Sequence, residues 1–79
     1  MTYTSILKEA KAILCYILNS ENVNLRRRAL EFVMELLSEV EMDYTKAEEA
    51  IKAEIAGDKK KSDKLIEKIL LDIDKVEYS

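Results

Sequence analysis

The sequence predicts an all-α fold: a three-helix chain with a long central helix, assembling with a second copy as an antiparallel dimeric helical bundle. Apolar residues recur every three or four positions in three segments of a chain that has no Pro and only one Gly. The middle segment is about twice as long as either flanking one. In addition, 48% of the 79 residues are hydrophobic, more than so short a single domain readily buries alone.

The first helix is predicted over about residues 3–19. Its apolar residues fall on an arc of about 140° when each residue advances by about 100°. They are Ile6, Leu7, Ala10, Ile13, Leu14, Ile17 and Leu18. Residues 19–24 are rich in Asn and Ser, which end one helix and cap the next. This short connection makes the first two helices antiparallel neighbours.

The central helix is predicted over about residues 24–56, because its apolar residues keep an a/d heptad spacing for about three heptads. In its N-terminal half the apolar arc widens to about 200°, so at least two other helices must cover it. In the C-terminal half of the central helix the apolar arc narrows, and one neighbouring helix is enough to cover it. The expected dimer or partner interface consists of Leu30, Val33, Leu37, Val40, Tyr44 and Leu71.

A break in the central helix near Asp43 is the alternative. Thr45 and Glu48 match a capping box, and Asp43 can itself cap a new helix. The heptad phase passes through Val40 and Tyr44 without a slip, and neither Gly nor Pro occurs there. These two features favour the continuous helix.

The third helix is predicted over about residues 60–76. Gly57 suits the left-handed residue that ends the preceding helix, and Asp58 or Ser62 can cap the next one. Lys59–Lys61 is expected in the turn. The first and third helices placed end to end match the central one in length, so each can cover half of it and leave one side for a second copy.

Charge is unevenly distributed along the chain. Residues 1–30 carry five basic and two acidic side chains, whereas residues 31–57 carry two basic and eight acidic ones. Antiparallel pairing places the basic end of one central helix beside the acidic half of the other, with the dyad near Val40. The sequence therefore predicts a homodimer of this orientation.

Arg26, Arg27 and Arg28 are the candidate anion contacts. Consecutive helical residues point about 100° apart, so the three side chains do not form one patch. Arg26 falls within the apolar arc, and a cation near a helix N-terminus opposes the macrodipole. An anionic neighbour is therefore expected there, either a carboxylate of the partner chain or a ligand.

The composition gives little support for catalysis, and we expect no enzyme activity, cofactor or metal site. The chain has no His and no Gly-rich phosphate loop, and its single Cys15 lacks the usual base partner. The acidic row of Glu31, Glu35 and Glu39 lacks a second acidic motif with which to hold a metal ion.

The same features predict a cytoplasmic location without membrane contact. One cysteine permits no intrachain disulfide, and no apolar run approaches the roughly 20 residues that span a bilayer. The abundance of Lys and Glu and the absence of Gln are typical of thermophilic proteins.

The segment Leu18-Asn19-Ser20-Glu21-Asn22-Val23-Asn24-Leu25-Arg26-Arg27-Arg28-Ala29-Leu30 resembles the helix-turn-helix junctions of HEAT-type repeats. The chain contains one such unit, whereas a solenoid needs about three.

The predicted function is that of a non-enzymatic helical interaction or adaptor protein, which acts as a homodimer and contacts a protein partner. The alternative is a small nucleic-acid-associated regulator that uses the Arg26–Arg28 region and the lysines.

Overall fold

The computed structural model describes residues 3–77, which form four α-helices and no strand. The helices are α1 (Tyr3–Leu18), α2 (Val23–Glu39), α3 (Thr45–Ile55) and α4 (Lys59–Glu77). The all-α prediction is confirmed. The prediction of three helices is wrong, because the expected central helix is divided into α2 and α3 by residues 40–44.

The end of α2 is a complete Schellman motif, built without glycine. Glu41 adopts a left-handed conformation with φ 57°. Its N–H donates to the carbonyl of Ser38 at 3.0 Å, and the N–H of Met42 donates to Leu37 at 2.9 Å. Met42 also packs against the hydrophobic core, as the residue at this position of the motif commonly does. The backbone thus leaves the helical path although the heptad pattern continues.

Asp43 lies two residues before the start of α3, so the alternative of a break near this residue is the correct one. Its Oδ1 accepts hydrogen bonds from the N–H of Thr45 at 2.9 Å and from Thr45 Oγ1 at 2.6 Å. These bonds satisfy a backbone donor that the first turn of a helix leaves free. They also lower the pKa of Asp43 below its ordinary value.

The other two connections follow the sequence predictions closely. The Asn22 side chain accepts a hydrogen bond from the N–H of Leu25 at 3.1 Å and caps α2. Gly57 has φ 76° and ends α3 with a second Schellman motif, in which Asp58 N–H donates to Ala53 at 2.9 Å. Lys59–Lys61 forms the first turn of α4 and not a loop, which corrects the expected boundary.

The four helices form an antiparallel bundle around one core. Contacts join α1 to α2, α2 to α3, α3 to α4 and α4 back to α1, so the helices form a closed ring. The bundle measures 34 × 20 × 20 Å. Each helix contributes buried apolar residues, and small residues in α3 allow close packing. The buried core comprises Ile6, Leu7, Ala10, Leu14, Ile17, Leu30, Val33, Leu36, Leu37, Val40, Ala47, Ala50, Leu65, Ile66, Ile69 and Ile73.

This arrangement changes the expected role of the predicted interface residues. Leu30, Val33, Leu37 and Val40 are buried within the chain itself, because α3 folds back and covers the side of α2 that a second copy was expected to cover. Of that set, only Tyr44 and Leu71 are exposed. The wide arc of α2 does meet two helices, α1 and α3, as its width predicts. With no long central helix, the predicted pairing about Val40 has no basis.

Candidate functional site

A buried arginine connects all four helices at one end of the bundle. Arg26 lies in the first turns of α2 and is only 1% exposed. Its Nε donates to Glu54 of α3 at 2.8 Å, and one Nη donates to Asp63 of α4. The other Nη donates to the carbonyls of Ile17, at 2.6 Å, and Ser20, at 3.0 Å. Four of its five N–H groups thus have partners within the chain.

The helix ends explain why an arginine can be buried here. The last carbonyls of an α-helix lack intrahelical partners, and the guanidinium donates to that of Ile17 in the last turn of α1 and to that of Ser20 in the following connection. The negative, C-terminal end of the α1 macrodipole also stabilises the positive charge, although the positive, N-terminal end of the α2 macrodipole destabilises it. Two carboxylates, Glu54 and Asp63, provide the opposite charge. The expected anionic neighbour is therefore present, and it comes from the same chain.

The electrostatics of this cluster favour the fully charged state. Burial alone would lower the pKa of Arg26, but the hydrogen bonds with Asp63 and Glu54 outweigh it and raise that pKa. Burial would likewise raise the pKa of Asp63, yet the hydrogen bonds from Arg26 and Lys59 lower it below the ordinary 3.8. The cluster therefore stabilises the bundle near neutral pH, and its guanidinium is not available to an external anion.

The other two candidate anion contacts lie elsewhere on α2. Arg28 is exposed and Arg27 is half-buried, and both border a shallow depression with Asn24 and Glu31. The carboxylate of Glu31 faces the same depression and would repel an anion bound there. The structure thus separates the three arginines, as the helical geometry predicts, and does not bring them into one patch.

An apolar groove lies between α1 and α2. Its volume is about 450 Å³. Tyr16 is 66% exposed and Phe32 43% exposed, and Leu25 is also exposed. The residues that line the groove are Ala12, Ile13, Tyr16, Ile17, Leu25, Arg28, Ala29 and Phe32. Aromatic side chains that stay exposed beside an apolar groove are typical of interaction surfaces.

The outer edge of α2 carries this surface in a regular order. Leu25, Arg28, Phe32 and Glu35 follow one another at steps of three, four and three residues and share one exposed face. Glu39 continues the series. An apolar centre at Phe32 is therefore flanked by a positive charge on one side and negative charges on the other.

Among residues 3–77, no three or more His, Cys, Asp and Glu side chains are grouped so as to hold a metal ion. Within the same range, no helix has the length and apolar character to cross a membrane. Cys15 is exposed and unpaired with another cysteine.

Comparison with known proteins identifies no relative. No family model matches the chain, and neither the curated proteins nor the solved structures include a significant match. The local resemblance to HEAT-type junctions therefore carries no family assignment.

Sequence reasoning missed the groove because it assigned the whole wide arc of α2 to burial. Phe32 and Leu25 lie at one edge of that arc, beyond the reach of α1 and α3. The heptad-like order of Leu25, Arg28, Phe32 and Glu35 was present in the sequence and is the signal that could have identified a second, outward-facing seam.

Proposed function

We propose that this chain is a non-enzymatic interaction protein that acts as a homodimer through the face formed by α1 and α2. The observation that carries the proposal is the apolar groove with Tyr16 and Phe32 exposed beside it. Burying two aromatic side chains per subunit gives the kind of central contact that dominates the energy of protein interfaces. Arg28 is the only charged residue among those that line the groove.

The order of charges on α2 favours a second copy as the occupant. If two α2 helices pack antiparallel with the dyad at Phe32, residues equally far before and after it lie opposite each other. Arg28 precedes Phe32 by four positions and Glu35 follows it by three. Each arginine then approaches Glu35 of the partner subunit, and this happens twice by symmetry. A parallel arrangement would place like charges together, so complementarity selects the antiparallel one.

A dimer of standard size would use the whole α1/α2 side of the bundle. The α1/α2 side of the bundle is bounded by the 34 Å and 20 Å dimensions of the molecule, which correspond to roughly 700 Å² in projection. A standard interface buries about 800 Å² per partner. The groove would supply the apolar centre, and Glu39 and the polar residues of α1 would form the rim.

The experiment compares two matched substitutions of exposed apolar residues. Light scattering at micromolar concentration should give about twice the 9.1 kDa chain mass for the natural protein. Phe32→Glu should give the monomer mass while circular dichroism shows an unchanged helix content. Leu71→Glu is the control, because Leu71 is 59% exposed but lies on α4, away from the groove. This variant should remain dimeric.

Two results would contradict the proposal. One is a natural protein that is monomeric at all accessible concentrations. The other is a dimer that survives Phe32→Glu but dissociates with Leu71→Glu, because the interface would then lie on α4.

A further inference from the structure

Helix α4 carries six basic and five acidic residues. Four of its five carboxylates pair with cations of the other helices, whereas Glu67 is exposed, next to Lys68, and forms no ion pair within the described residues. Asp72 accepts a hydrogen bond from Lys46 of α3 at 2.7 Å. Lys11 of α1 lies 2.9 Å from Asp74 and 3.2 Å from Glu77. Together with the pairing of Asp63 and Arg26, these contacts place four carboxylates of α4 against three cations of the other helices.

Four lysines of α4 lie on the solvent-exposed side of the helix. Lys61, Lys64, Lys68 and Lys75 are all exposed, and none forms an ion pair within the part of the chain that the structure describes. At about 100° per residue, they share an arc of about 80° with Leu71. From the first to the last they extend about 21 Å along the helix. We call these four lysines the lysine face.

We propose that the lysine face binds the phosphate backbone of duplex nucleic acid without regard to sequence. Lysine ammonium groups act as point charges toward phosphates. Duplex DNA carries about one charge per 1.7 Å of its axis, so a row of about 21 Å meets several phosphates at once. With Glu67 beside it, the lysine face keeps a net positive charge, and a row of cations along one helix matches a regular polyanion better than it matches an isolated anion.

The composition of the face argues against other polyanionic partners. Leu71 is its single apolar residue, whereas a helix that lies on a membrane needs a broad apolar face to insert. The apolar face of α4, with Leu65, Ile66 and Ile69, is already buried in the core. The face also has no aromatic side chain on which the bases of a single strand could stack.

This activity goes beyond the proposed dimer and does not depend on it. Helix α4 contacts α1 and α3 but lies diagonally across the bundle from α2. The lysine face is therefore outside the α1/α2 groove and stays exposed if that groove is covered. In the dimer, two such faces would lie on the outer sides of the assembly.

The test measures the salt dependence of binding to a short fluorescent duplex of mixed sequence. With four phosphate contacts per chain, the logarithm of the association constant should fall with the logarithm of salt concentration at a slope of about −3.6. Replacing two lysines of the face, Lys64→Gln and Lys68→Gln, should reduce the slope to about −1.8.

The matched control replaces two exposed lysines elsewhere, Lys8→Gln on α1 and Lys52→Gln on α3. It changes the net charge equally but should leave the slope unchanged. Because all four residues are exposed, thermal melting of each variant should match that of the natural protein.

Three outcomes would overturn the proposal. The first is no binding to the duplex at low salt. The second is an equal loss of binding in the control and in the Lys64→Gln/Lys68→Gln variant, since this would indicate a diffuse charge effect. The third is retention on phosphatidylserine vesicles without duplex binding, which would assign the lysine face to membranes. None of these outcomes bears on the dimer, which light scattering tests separately.

Discussion

Replacing Arg26 by methionine should destabilise the bundle severely. Methionine has a similar length and fits an apolar site, so the packing changes little while the charge and all the donors disappear. Glu54 is then left 4% exposed without its guanidinium partner, and the Ser20 carbonyl loses its donor, whereas the Ile17 carbonyl keeps only the N–H of Ser20 at 3.0 Å. Asp63 is less affected, because it is partly exposed and keeps Lys59 at 3.2 Å.

The magnitude follows from the burial of these groups. Removing one partner of a buried ion pair costs about 3–5 kcal/mol, most of it from the carboxylate that remains without a partner. The free energy of unfolding of a small domain is about 5–15 kcal/mol, so this is a large fraction of the total. Each kcal/mol lowers the melting temperature of a domain this size by about 4–8 °C.

Urea denaturation followed by circular dichroism measures the loss directly. The second arm adds Glu54→Leu to Arg26→Met and removes both members of the buried pair. Because no unpaired charge remains, this double variant should recover more than half of the lost free energy of unfolding. A control at Lys52, Lys52→Met, removes an exposed cation of α3 and should change stability by less than about 0.5 kcal/mol.

A loss below about 1 kcal/mol for Arg26→Met would refute the reasoning, since the cluster would then contribute no more than a surface ion pair. A double variant no more stable than Arg26→Met alone would also contradict it, because the unpaired carboxylate would not be the source of the cost.

Three further predictions concern the fold and its pH dependence. Glu41→Gly should raise the free energy of unfolding by about 1 kcal/mol, because glycine adopts the left-handed conformation of this residue without the steric cost that a side chain adds; unchanged urea stability would mean that this cost is absent. Leu37→Ala should lower it by about 2–5 kcal/mol, because Leu37 is fully buried, and a loss below about 1 kcal/mol would place the residue outside the core. The lowered pKa of Asp63 adds stability above the ordinary carboxyl pKa of 3.8, and this part is lost as the pH falls through the lower, folded-state value. Asp63→Asn should therefore be less stable than the natural protein at pH 7, and the difference should shrink in acid; a difference that does not change with pH would rule out this linkage.

The sequence was sufficient for the helical class and for two of the three connections between helices. Asn22 and Gly57 carry their structural roles in their residue type, because a side-chain oxygen caps a helix and glycine accepts a positive φ. The break after α2 was harder, since Glu41 has no intrinsic preference for the left-handed conformation. Folding α3 back onto α2 compensates for its cost by burying Ala47, Ala50 and the wide arc of α2. That gain depends on contacts between segments distant in sequence.

The need for contacts between segments distant in sequence also limits what could be predicted of the site. The opposition between Arg26 and the α2 macrodipole indicated an anionic neighbour. Which carboxylates would supply it depended on α3 and α4 reaching the same end of the bundle, where Glu54 and Asp63 converge. The groove could not be predicted from the sequence for a different reason. Periodicity shows which residues share a face, but it does not show where the covering helices stop, and Phe32 lies beyond them.

A charge-exchange experiment on α2 tests the proposed dimer most directly. Arg28→Glu and Glu35→Arg each place like charges opposite one another across the dyad, whereas the double variant restores opposite charges with the order reversed. We predict, by light scattering at a single micromolar concentration and low salt, about twice the 9.1 kDa chain mass for the natural protein and for the double variant. Each single variant should give a mass shifted toward that of the monomer. Four equal masses, or a double variant no more associated than the single ones, would contradict the antiparallel α1/α2 dimer.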